Sequence, residues 1–182
     1  MLLSLRYIDL TGVDSGKYYP LILFATLGMM LLVSSMDLLL MFLSIELLSV
    51  SMYILVGSQR ERWVSNEAAM KYLLMGAFAS AFLLFGISLV FGATGSTSFI
   101  KIESALGGLA GGGPFLLHIG IAMMLVGLGF KIAMVPFHMW APDVYDGAPT
   151  PITGFLSTGS KIAVFALILR LLMNPFSVPY SQ

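Results

Sequence analysis

The sequence predicts an all-α membrane protein of about five transmembrane helices, the fourth of them discontinuous. Three observations predict it. Of 182 residues, 58% are hydrophobic and only 10% charged, whereas soluble domains hold roughly 45–50% apolar and about 25% charged residues. Apolar stretches long enough to cross roughly 30 Å of hydrocarbon recur between short polar connections. One such stretch runs through Phe130 and Lys131 to Pro136, where a missing N–H and a ring clash break a helix beside a lysine.

Composition also excludes function classes. Cysteine is absent, so there is no disulfide framework, haem attachment or thiolate metal site. The two histidines, His118 and His138, are too far apart in sequence to suggest a metal cluster. A net charge of zero gives no electrostatic footprint for nucleic acid. The first residues, MLLSLRYIDL, lack the charged start and uninterrupted apolar core of a signal peptide.

In chain order, residues 1–19 carry Arg6, Asp9, Asp14 and Lys17 and read as an exposed polar lead-in. A five-helix module is expected over residues 20–173, and residues 174–182 form a tail. The first span covers 20–36, with Pro20 in the first helical turn, where its missing N–H is harmless. Asp37 interrupts the apolar run and suits the N-cap of the second span, 38–56. Glu46 lies within that span, roughly 13 Å along its axis and near mid-membrane. A polar hairpin at 58–67 leads to the third span, 68–91, with Lys71 in its first turn and Glu67 four residues before it, the favourable order for a helical ion pair. The small residues Gly76, Ala77, Ala79, Ser80 and Ala81 invite close approach by a neighbouring helix. A loop rich in glycine, serine and threonine is expected over 92–114. No GK[ST] follows it, so it is no phosphate cradle. The fourth span starts near Phe115 and breaks around Pro136. The fifth, 152–173, holds Lys161 near its middle and Arg170 towards its end. With five spans, Arg6, Lys17, Arg60 and Arg62 share one side, and the positive-inside rule assigns that side to the cytoplasm.

Ionisable groups inside a membrane cost a few kcal/mol each on insertion scales and mark ion or proton paths. Glu46, Lys131 and Lys161 are such groups; Lys71 reads equally as a proton carrier or as an anchoring partner of Glu67. Desolvation favours the neutral form of an amine and a nearby carboxylate favours the charged form. A glutamate and a lysine of adjustable separation can therefore take up and release a proton, with a second lysine as acceptor. A broken helix frees backbone groups that only a wet or protein-lined cavity satisfies, as in the discontinuous helices of transporters. His138 and Asp143 are candidates for proton uptake, since histidine titrates near neutrality. The alternative for His138, Met139 and Trp140 is interfacial packing, with the indole at headgroup depth.

Over about residues 18–170 the sequence resembles the antiporter-like N subunits of bacterial proton-translocating NADH–quinone oxidoreductase, respiratory complex I. That family includes mitochondrial subunit 2 and is related to chloroplast and cation/proton antiporter subunits. The resemblance is carried by LLLMFLSIELLSVSMYILVG at 38–57, EAAMKYLLMGAFASAFLLFGISLVFGATGS at 67–96 and GLGFKIAMVPFHMWAPDVYDGAPTPITGFLSTGSK at 127–161. It implies one repeat, the fourth to eighth helices, of a fold built from two inverted repeats. Glu46 then matches the glutamate of the fifth helix, Lys71 a lysine at the start of the sixth, Lys131 that of the broken seventh and Lys161 that of the eighth.

The resemblance further implies that quinone reduction elsewhere moves Glu46 relative to Lys131, which gains a proton and passes it to Lys161. NAD, flavin, iron–sulfur and quinone sites are expected in other subunits, and no cofactor or metal in this chain. Expected partners are other membrane-arm subunits, the bilayer of a bacterial inner membrane, and protons. Two rival readings are a half-size cation/proton antiporter module and a structural membrane piece whose charges pair for assembly and conduct nothing.

Overall fold

Asp37 turns the chain back on itself. Its Oδ1 accepts from the backbone N–H of Leu39 at 2.8 Å and of Leu40 at 3.4 Å, satisfying donors that the start of a helix leaves open. This cap separates α2 (Ser15–Ser34) from α3 (Leu38–Val56), and the two pack as an antiparallel pair. The computed structural model describes residues 4–11, 13, 15–107, 115–174 and 176. Among these, α1 (Leu5–Thr11) precedes the pair, and α4 (Trp63–Thr94), α5 (Phe99–Gly107), α6 (Phe115–Lys131), α7 (Ala141–Gly147) and α8 (Thr150–Met173) follow. Helices α2, α3, α4 and α8 are long and apolar enough to cross a membrane, and α6 is a shorter apolar helix. The chain is a multi-pass α-helical membrane protein.

The second span has the expected limits; the others differ in instructive ways. The lead-in is not simply exposed: it contains α1 and the first turn of α2, with Ile8 and Tyr18 buried. Pro20 therefore lies inside α2, not in its first turn. Helix α4 starts at Trp63, inside the expected hairpin, so Lys71 sits two turns into the helix. The expected 92–114 loop contains α5, whose Phe99 and Ile102 reach the core. A short antiparallel bridge between Asp37 and Ser98 ties this segment to the α2–α3 turn, reinforced by Thr97 Oγ1 donating to Asp37 Oδ2 at 2.7 Å. The remaining glycine-rich stretch, 108–114, lies outside the described residues, as do Asp14 and most of the expected tail.

Small residues decide which helices touch closely. A Cβ on Gly28 would stand 2.8 Å from the Leu48 nitrogen, so α2 meets α3 backbone to backbone there. Gly86 and Gly120 are mutually close across α4 and α6, and Gly127 lies against Ala79 and Leu83. Of the small-residue stretch expected in the middle of α4, Ala79 meets α6 whereas Gly76 and Ser80 face α3, and the close approach of Gly86 to Gly120 lies beyond it.

Candidate functional site

One face of α3 carries Glu46, Ser49 and Tyr53, spaced three and four residues apart so that they line up along the helix. Glu46 accepts a 2.5 Å hydrogen bond from Ser80 Oγ on α4. Tyr53 reaches its hydroxyl over Gly76, where a Cβ would collide with it. Ser49 donates to the carbonyl of Ile45, which leaves its lone pairs free to accept.

Lys131 completes the cluster from α6. It is 6% exposed and its Nζ donates to Ser49 Oγ at 2.6 Å and, more loosely, to Tyr53 OH at 3.4 Å. The ammonium also lies 5.6 Å from the Tyr53 ring centre and 5.9 Å from that of Phe130, within cation–π range. Among the described residues the ion pairs are those of Lys71, and none joins Lys131 to Glu46. The two share a face of α3 but have separate partners, Glu46 bonding Ser80 of α4 and Lys131 bonding Ser49 and Tyr53.

Why α6 ends at this lysine is visible in its backbone. The N–H of Met134 bonds the carbonyl of Gly129 at 2.8 Å and that of Ala133 bonds Phe130 at 3.0 Å. This pair of bonds closes a helix through a left-handed residue, usually glycine. Here Ala133 takes that role, with φ of 56°. Pro136 follows a cis peptide bond, and the chain stays irregular through 132–140 before α7 begins. Trp140 seals the gap: its Nε1 donates to the Phe130 carbonyl at 3.1 Å. The indole is 1% exposed and stacks on Tyr72 at 4.7 Å between centres. Trp140 is thus packed inside the protein, whereas Met139 and His138 are exposed.

Lys161 occupies the middle of α8, half-buried, its Nζ 5.5 Å from the centre of the Tyr145 ring. Tyr145 packs edge-on against Trp140, so an aromatic wall of Tyr53, Tyr72, Trp140 and Tyr145 connects the two lysines. From α8, Ser160 and Val164 reach a small cavity shared with Lys131. Ser49 and Tyr72 also border this cavity of about 10 Å³, near the least room that holds one water. Ser160 donates to Leu156 at 2.6 Å and so can accept from a molecule there.

Lys71 stands apart from this cluster. It bridges Glu67 at 2.8 Å, the expected partner one turn away, and Asp143 of α7 at 2.7 Å, with all three groups about half exposed. It thereby ties α4 to the segment after the break. His118 is exposed on α6. No group of three or more His, Cys, Asp or Glu side chains is placed to hold a metal among the described residues. Ser49, Tyr53 and Ser160 are further site residues whose only signal in the sequence is a hydroxyl at helical spacing from Glu46 or beside Lys161, and Ser80 joins them from the small-residue stretch of α4.

Residues 35–182 match the family model described as NADH:quinone oxidoreductase/Mrp antiporter, transmembrane. The NADH-quinone oxidoreductase subunit N of Trichlorobacter lovleyi is 49% identical over 97% of this chain and 36% of its own length. Subunit N 2 of Roseiflexus castenholzii is 53% identical over 96% of this chain and 35% of its own. A chain of respiratory complex I from Thermus thermophilus with bound aureothin superposes with a TM-score of 0.75 at 47% identity, covering 87% of this chain and 35% of that one. A chain of the Mrp complex from Dietzia sp. gives a TM-score of 0.76 at 25% identity, covering 86% and 29%. The chain spans about a third of the length of the curated relatives it matches.

Proposed function

Because the chain belongs to the NADH:quinone oxidoreductase/Mrp antiporter transmembrane family, we propose that it forms the proton-translocating module of an N-type subunit in the membrane arm of an NADH–quinone oxidoreductase. The observation that carries this reading is Lys131 Nζ, buried at a helix break and held by the hydroxyls of Ser49 and Tyr53 on the face of α3 that also bears Glu46. A carboxylate drawn towards a buried amine favours its charged form, and one drawn away favours release. Movement of α3 or of the 132–140 segment, driven by quinone reduction elsewhere in the complex, thus loads and unloads Lys131. The released proton crosses the water-sized cavity beside Ser160 and reaches Lys161. His138, exposed in the break, exchanges protons with the aqueous side, while Lys71, Glu67 and Asp143 hold α7 in register. The electron-transfer groups (NAD, flavin, iron–sulfur clusters and quinone) belong to other subunits. The membrane is the bacterial inner membrane, with the start of α2 on the cytoplasmic side, where Lys17, Arg60 and Arg62 gather.

The test is Glu46→Gln in the complete complex, reconstituted in vesicles, with proton pumping and NADH oxidation recorded together. Fewer protons per NADH, with uncoupled oxidation retained, is the expected result. Pumping and oxidation falling in the same proportion would contradict it. The likeness to the Mrp chain favours cation/proton exchange as the second reading. Sodium uptake driven by a pH gradient alone, and lost in Glu46→Gln, supports that one instead.

A further inference from the structure

A second cavity lies away from Lys131 and Lys161. It measures about 690 Å³ and lies where α2 begins, α3 ends and α4 begins, a volume in the range of small-molecule sites. Among the described residues on its wall, three cations, Lys17, Arg60 and Arg62, stand with one carboxylate, Glu61, a net charge of +2. Arg62 gives one N–H to Gln59 Oε1 at 2.7 Å and has four further guanidinium donors. Ser58, also on the wall, has a buried hydroxyl without a hydrogen-bond partner. The remaining wall is apolar, formed by Leu21, Ile54 and Met70 among others. Trp63, 78% exposed, stands at the same end of the bundle, the position that interfacial aromatic residues take at headgroup depth.

An occupant has to match all of these features together: negative charge, hydrogen-bond acceptors for Ser58 and the arginines, an apolar extension beside Leu21 and Ile54, and a position at the membrane surface. We propose that this cavity binds an anionic phospholipid, its phosphodiester among Lys17, Arg60 and Arg62 and the upper part of an acyl chain along Leu21, Ile54 and Met70. Basic pockets between transmembrane helices bind anionic headgroups through the same combination. Glu61 sets the limit: it disfavours a highly charged headgroup packed against it and leaves a single phosphodiester better matched to the net charge.

Native mass spectrometry of the protein at its full native length, in detergent micelles doped with equal phosphatidylglycerol and phosphatidylcholine, tests this. One phosphatidylglycerol is expected to be retained with at least about a fivefold preference, the scale of one basic charge at a membrane surface. The preference should vanish in the combined Lys17→Gln, Arg60→Gln, Arg62→Gln variant. It should survive in the charge-keeping Lys17→Arg, Arg60→Lys, Arg62→Lys variant, which separates charge from folding. Equal retention of the two lipids overturns the proposal, as it would if a protein segment filled the cavity. So does a preference unchanged in the glutamine variant. Displacement of the lipid by millimolar inorganic phosphate shows that the site reads a free anion, which also overturns the lipid assignment.

Discussion

Lys131 Nζ and Ser49 Oγ meet at 2.6 Å across 82 positions of chain, joining the end of the interrupted helix α6 to the middle of α3. Ser49 sends its own proton to the Ile45 carbonyl and is therefore an acceptor for the lysine. A hydroxyl tied into its own helix rarely carries a long-range interaction; here that tie fixes which way its lone pairs face.

Ser49→Ala removes the shorter of the two hydrogen bonds to Lys131 and leaves Tyr53 at 3.4 Å. A bond to a charged group is worth about 1.5–3 kcal/mol, so a loss of about 2 kcal/mol in unfolding free energy is expected. Denaturant titration in detergent measures it. Tyr53→Phe, which removes the weaker contact, should cost less; the reverse order would show that Ser49 is not the principal partner.

Ala133→Gly relieves a left-handed backbone at φ of 56°. An L-residue in that region costs roughly 1–2 kcal/mol, part of which glycine returns through its greater freedom when unfolded. The expected outcome is a gain of up to about 1 kcal/mol, read as a higher unfolding midpoint. A loss of stability would mean that the alanine methyl makes packing contacts outweighing the strain.

The helix pattern, the charged residues and the Glu67–Lys71 pair could be read from the chain; the partners of Lys131 and Glu46 could not. Asp37 was legible because a lone acid between two apolar runs has one economical use, as a cap, and it caps α3. The break after Lys131 was legible from Pro136. Tyr53, Ser49 and Ser160 were not, because a serine or tyrosine in an apolar helix usually bonds the preceding turn or packs, and only the crossing of α3, α6 and α8 selects these three. The partner of Trp140 was hidden for a related reason: only the fold brings its indole to the Phe130 carbonyl, which also accepts the Ala133 N–H. Lys71 appeared one turn too close to the helix start because Trp63 to Glu67 is polar enough to read as loop yet extends α4.

Asp143→Asn separates the two roles of the Lys71 triad. The carboxylate links α7 to α4, while Glu67 bonds within α4. Faster amide exchange in α7 with Asp143→Asn, and little change there with Glu67→Gln, is expected from hydrogen-exchange mass spectrometry. Because these groups are about half exposed, added salt should weaken the link in the parent protein and narrow the difference. Equal exchange in both variants would remove α7 anchoring from the account.

The most direct measurement of the role of Lys131 is proton pumping by the complete complex carrying Lys131→Met, which keeps a side chain of similar length without the amine. Complex assembly and uncoupled NADH oxidation should persist while protons pumped per NADH fall. Normal pumping by a fully assembled Lys131→Met complex would contradict the account and leave the buried charge a structural element.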